Sequence, residues 1–168
     1  MQKLRKKSMS SNVVGMNKTL MISMIGIKYF AVIFDLDQTI ANIDHRLHHV
    51  TGPKKNYGKF YNGIPYDRLR KETYKQLLLA APTNKIIIVT GQPGNARIRK
   101  LTEFWLAQHN VPYSEIIYRP AGSYAPQGEY KKEVANRLRQ KYTIRAAFDD
   151  DPDALRSYSE LGIPTYKT

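Results

Sequence analysis

The sequence predicts an α/β protein, a Rossmann-like parallel sheet flanked by helices with at most a small cap insertion. Three observations predict it. Four short β-rich runs recur along the chain, helical periodicity fills the stretches between them, and three of the four runs end in polar groups. Strands alternating with helices read as a parallel sheet built from crossover units. In such sheets ligands bind at the carboxyl ends of the strands, so polar residues at those ends converge on one place.

The elements follow in order. Residues 1–28 show no helical or strand pattern and hold six basic side chains (Lys3, Arg5, Lys6, Lys7, Lys18, Lys28), no acid and all five methionines. They are expected to be a basic, disordered tail or the product of a start set too early, with Met21 or Met24 as the real beginning. A processed targeting segment is the third reading, disfavoured because Asn17, Lys18 and Ser23 break the apolar stretch. The first strand is the apolar run Tyr29 to Phe34, and the domain is expected to span 29–168. A helix is expected over 66–81, where Leu69, Thr73, Leu77 and Ala81 share a face. The second strand covers Lys85 to Val89, followed by a helix over 95–109 with Ile98, Leu101, Trp105 and Leu106 at helical spacing. Ser114 to Tyr118 is the third strand. Residues 130–141 form a helix with Val134, Leu138 and Tyr142 at steps of four, and Thr143 to Phe148 is the fourth strand. Asp151 caps a last helix with Pro152 at its first position, and Gly162-Ile163-Pro164 stops it.

The strand ends carry the chemistry. The first ends in Asp35-Leu36-Asp37-Gln38-Thr39, the second in Thr90-Gly91-Gln92-Pro93, the fourth in Asp149-Asp150-Asp151. Side chains two apart on a strand share a face, so Asp35 and Asp37 aim at one point above the sheet. Two carboxylates so placed repel unless a cation or a shared proton intervenes, and a divalent metal is the natural expectation.

Composition bounds the function. With 168 residues, 42% hydrophobic and 24% charged, the chain has the profile of one globular domain. The absence of cysteine excludes disulfides, thiolate metal sites and cysteine nucleophiles, and fits a reducing cytoplasm. No run approaches the roughly 18 apolar residues of a membrane span, so no membrane partner is expected. Net charge is +13 from 27 basic and 14 acidic residues. Outside the tail, 21 basic side chains still face 14 acidic ones. Such an excess favours a polyanionic partner, because counterion release rewards basic surfaces on nucleic acid.

The ordered series hhhhDxDxT, hhhhTG, a lysine and hhhhDD resembles the haloacid dehalogenase superfamily of phosphotransferases over residues 29–166. More narrowly, the chain resembles the phosphatase domain of polynucleotide kinase–phosphatase proteins, common in phages. The strings behind this are Ala41-Asn42-Ile43-Asp44-His45-Arg46, Arg99 to Leu106, Asp149-Asp150-Asp151-Pro152-Asp153, and Gly162-Ile163-Pro164-Thr165-Tyr166. Two positions depart from that pattern. Gln38 stands where glycine is usual, and Gln92 where relatives often carry arginine.

The resemblance and the residue types imply a phosphatase using Mg²⁺. Asp35 is the expected nucleophile, and Asp37 the acid and then the base. Mg²⁺ is expected on Asp35, the Asp37 carbonyl, and Asp149 or Asp150. Thr39, Thr90, Gly91 and a lysine are expected at the phosphoryl oxygens. Lys131 is preferred because Val134 and Leu138 then fall on its buried side, with Lys132 as competitor. Arg46 is read either as a contact to a substrate phosphate or as a surface charge. His45, His48 and His49 suit a cap loop better than zinc, since no second ligand cluster accompanies them. Trp105 is read as core. Tyrosines 57, 61, 66, 118, 124 and 130 are candidates for stacking unpaired bases, though several must simply pack. Gly52 to Lys59 fails as a phosphate loop, because its spacing is one residue long and Phe60 replaces the hydroxyl residue.

The expected activity is removal of a terminal phosphate, most plausibly 3′, from DNA or RNA ends, by a monomer or small homo-oligomer in the cytoplasm (the host cytoplasm if phage-encoded). The competing expectations are a phosphatase for nucleotides or another small phosphoester, and a catalytically dead nucleic-acid-binding module.

Overall fold

Every position of the first apolar run is either aliphatic or aromatic, the pattern of a strand covered on both faces. In the computed structural model it forms β1 (Tyr29–Phe34), the middle of a five-stranded sheet. The structure describes residues 28–168, and the expectations attached to the preceding basic segment lie outside them. The other strands of the sheet are β4 (Lys85–Pro93), β5 (Glu115–Arg119), β6 (Tyr142–Asp149) and β7 (Thr165–Lys167). Their order is β5-β4-β1-β6-β7 and every neighbouring pair is parallel. The three polar strand ends therefore belong to adjacent strands, with β1 between β4 and β6.

Alternation along β1 divides the core. Val32 and Phe34 join Leu77, Ile98, Trp105 and Leu106 on one face, while Ala31 and Ile33 join Val134, Leu138 and Tyr158 on the other. The first face is covered by α3 (Lys71–Ala80) and α4 (Ala96–Gln108), the second by α5 (Gln127–Lys141) and α6 (Pro152–Glu160). Asp35 continues the parity of Ala31 and Ile33, which directs it toward the α5 side.

The stretch after β1 builds the insertion. The strand pair β2 (Ala41–Asn42) and β3 (Arg68–Leu69) is antiparallel and closes its base. Between them lie α1 (Asp44–Thr51), α2 (Tyr57–Asn62) and a 3₁₀ turn at Ile64–Tyr66. The helix expected over 66–81 is thus shorter, starting at Lys71. Leu69 pairs with Ala41, and Arg70 N–H donates to the Ile40 carbonyl at 2.8 Å, so this segment is held extended. Tyr142, expected on the face of α5, instead opens β6. The edge strand β7, beyond the predicted helix stop, extends the sheet; Tyr166 stacks on Phe148, with centroids 4.8 Å apart.

Candidate active site

Lys131 decides where the site is. It sits on the buried stripe of α5 with Val134, Ala135 and Leu138, one turn behind them, and is 1% exposed. A lone ammonium in that position would be prohibitively costly. Its Nζ donates to Asp35 Oδ1 at 2.8 Å and to Asp149 Oδ2 at 2.7 Å, joining the ends of β1 and β6. Burial alone would depress this lysine, but the two carboxylates outweigh it and hold the ammonium above the usual lysine range. Lys132, its competitor in the sequence, faces solvent and pairs with Glu160 at 2.5 Å.

The acids around Lys131 are under strain of a different kind. Burial pushes the Asp35 carboxyl well up, against the opposing pull of Lys131. Asp149 and Asp150 are raised as well, burial again being the main cause. Asp35, Asp149 and Asp150 each offer one oxygen within 4.8 Å of the others. Asp151 is employed differently, as the cap of α6, accepting from Asp153 N–H at 2.8 Å and Ala154 N–H at 3.0 Å.

The pocket over these groups has a volume of about 300 Å³ and is lined by four carboxylates (Asp35, Asp37, Asp150, Asp151) and one ammonium. A phosphate dianion meets net negative charge there unless a cation is added. Three converging carboxylates with no sulfur or imidazole are the donor set of a hard divalent ion such as Mg²⁺ and not of zinc. The residues therefore fit the expected metal. The insertion supplies the opposite wall through Ile43, Leu47, Phe60 and Tyr61. Burial, reinforced by Asp37, pushes the Tyr61 phenol up to about 12, so it is a neutral hydroxyl at physiological pH.

Asp37 is held from behind. Its Oδ1 accepts from Arg46 Nη2 and from Gln92 Nε2, both at 2.8 Å. Arg46 also donates from Nε and Nη2 to Asp67 at 2.8 Å and lies 4.3 Å over the Phe60 ring. The reading of Arg46 as a surface charge is thereby corrected: at 1% exposure it is buried and held by Asp37 and Asp67. Asp67 was missed by sequence reading; besides Arg46 it takes His45 Nε2 at 2.8 Å, and its carbonyl accepts Trp105 Nε1 at 2.8 Å. Its only signal was an acid beside Arg68, which is commonplace.

Other expected residues lie as follows. Gly91 lines the pocket, and a Cβ there would meet Gln127 Nε2 at 2.5 Å. Thr90 is fully buried at the same strand end, its Oγ1 accepting Gln92 N–H at 3.1 Å. Thr39, expected at the phosphoryl oxygens, is fully buried, and its hydroxyl pairs with Thr168 Oγ1 at 3.1 Å outside the pocket lining. Gln38 adopts φ 63°, lines the pocket and donates from Nε2 to Asp44 Oδ1 at 2.7 Å. Trp105 is core, as are Tyr118 and Tyr130, whereas Tyr57, Tyr66 and Tyr124 are exposed. A wider groove of about 970 Å³ beneath β2 and β3 contains none of the site carboxylates.

Comparison with known proteins matches this geometry to a family. The model for the polynucleotide kinase PNKP phosphatase domain covers residues 30–168. The chain is 26% identical over 137 residues to a protein of Autographa californica nuclear polyhedrosis virus described as a bifunctional polynucleotide kinase/RNA ligase. That alignment takes in 80% of this chain and 18% of the viral protein. Among solved structures, two chains from the Pnkp1/Rnl/Hen1 RNA repair complex align at 25% identity with TM-scores of 0.69 and 0.68, each over 84% of this chain. The chain spans 42% and 46% of those two. With its buried lysine joining acids from two strand ends and a family match running from β1 to the last residue, this chain belongs to the PNKP phosphatase-domain family of the haloacid dehalogenase superfamily.

Proposed function

We propose that the domain is a Mg²⁺-dependent phosphomonoesterase that removes terminal phosphate, with 3′ ends preferred, from nucleic acid through an aspartyl-phosphate. The observation that supports it most directly is the Asp35–Lys131–Asp149 bridge at the floor of a pocket that Asp37 also lines. Asp35 is the nucleophile: a carboxylate oxygen attacks phosphorus while the bond to the leaving oxygen breaks. Asp37 gives its proton to that oxygen, and the alcohol departs. In the second half Asp37 takes a proton from water, the water oxygen attacks phosphorus, and the bond to Asp35 breaks. Phosphate leaves, and both aspartates return to their starting states.

Lys131 and Gly91 hold phosphoryl oxygens, with Thr90 supporting the loop, since this transfer is mainly positioning and charge stabilisation. Asp35, Asp149 or Asp150 and the Asp37 carbonyl would hold Mg²⁺, which when bound would neutralise charge on the phosphoryl group and the carboxylates. Nucleic acid as the substrate class is supported by the family, the relatives' descriptions and the basic excess outside the pocket. Rates on 3′-phosphorylated, 5′-phosphorylated and free mononucleotide substrates test it. The 3′-phosphorylated oligonucleotide is expected to have the highest kcat/KM; faster turnover of free nucleotides would replace end repair with a nucleotidase.

A further inference from the structure

Two fully buried polar residues in the apolar stripe of a helix and a strand demand partners. Thr102 lies on the buried face of α4 among Ile98, Trp105 and Leu106 and is 0% exposed; Gln92, near the end of β4, is 2% exposed. They satisfy each other, Thr102 Oγ1 donating to Gln92 Oε1 at 2.6 Å. A hydroxyl can donate or accept, so the acceptor oxygen of Asp37 sets the sense of the amide, and Thr102 anchors its Oε1 end. The Nε2 end is left to donate to Asp37 Oδ1 at 2.8 Å. A reversed amide would set two acceptor oxygens against each other.

The consequence reaches the pocket through Asp37. Its Oδ1 already accepts from Arg46 Nη2 at 2.8 Å. A carboxyl oxygen has two lone pairs, so with Gln92 as second donor Oδ1 is fully engaged and Oδ2 is the oxygen available to a substrate. We infer that Gln92, anchored by Thr102, is a positioning residue that fixes the Asp37 carboxyl so that Oδ2 faces the leaving oxygen. This rests on the reading of Asp37 as proton donor. A neutral amide makes the contact to Asp37 here and relies on a hydroxyl in the core for its anchorage.

Leaving-group dependence tests this, because an alkoxide needs a proton to depart and p-nitrophenolate does not. Turnover is compared on p-nitrophenyl phosphate and on two alkyl esters, a 3′-phosphorylated oligonucleotide and glycerol 2-phosphate. Two alkyl esters are used so that a wrong substrate class does not hide the result. Gln92→Met is expected to lower kcat on the alkyl esters about tenfold more than on the aryl ester, a part of the roughly 10²–10⁴ that a positioned acid supplies. Thr102→Val is expected to shift the same ratio in the same direction by a smaller factor, and Thr102→Ser to restore it. Equal losses on both ester types, or a wild-type ratio in Thr102→Val, overturn the inference. Asp37→Asn is the reference: if it discriminates between esters while Gln92→Met does not, the positioning role alone falls. If neither discriminates, the reading of Asp37 falls and takes the inference with it.

Discussion

At the scale of single residues, Gln38 shows how a departure from pattern is absorbed. The family pattern that the sequence resembles has glycine at this position; the turn here is left-handed, and Gln38 takes that conformation at φ 63°. Its N–H donates to the Ala41 carbonyl at 2.7 Å, Arg70 donates to its carbonyl, and its side-chain amide donates to Asp44 at the pocket wall. Left-handed strain of about 1–2 kcal/mol for an L residue is therefore opposed by these contacts and by the higher unfolded-state entropy of glycine. Gln38→Gly is expected to change stability by less than about 1 kcal/mol, and Gln38→Val to cost about 2 kcal/mol, by urea denaturation. Lys131 and Lys132 make a second contrast. Lys131→Ala should abolish detectable turnover, whereas Lys132→Ala should leave both activity and the melting temperature as in wild type. The sequence favoured Lys131 because position in a helical stripe is readable from spacing. It could not show that Thr39 turns to Thr168 or that Arg46 turns inward, since both depend on partners 129 and 21 residues away.

At the scale of elements, what was legible is what local physics dictates. β1, β4, β6 and the helices over their crossovers are apolar runs and apolar stripes long enough to declare their period. The cap at Asp151 with Pro152 was equally readable, and Asp151→Ala should cost about 1 kcal/mol in thermal or urea unfolding. The insertion was not readable in detail. β2 and β3 are two residues each, and they exist because Ala41 and Asn42 meet Leu69 and Arg68 across a long loop. The same distant pairing shortened the helix expected over 66–81. Arg46 ties α1 to the β1 loop through Asp37 and to the base of the insertion through Asp67. Arg46→Ala leaves Asp67 buried without its cation and is expected to destabilise the fold by about 3–5 kcal/mol, measured as a lower urea midpoint at unchanged slope.

At the scale of the molecule, the sign of charge reverses between surface and pocket. The chain carries +13, yet the pocket presents four carboxylates against one ammonium. A polyanion is drawn to the protein by the former, and a phosphate is admitted to the acids only with added positive charge. KM for an oligonucleotide should therefore rise with salt much more steeply than KM for p-nitrophenyl phosphate. The measurement closest to the central claim is phosphate release from a 3′-phosphorylated oligonucleotide, by wild type and Asp35→Asn, in Mg²⁺ and in EDTA. Release that requires Mg²⁺ and falls at least about 10³-fold in Asp35→Asn is the predicted result. Release that survives EDTA or the substitution, or a wild type that releases nothing while still binding the strand, would contradict it.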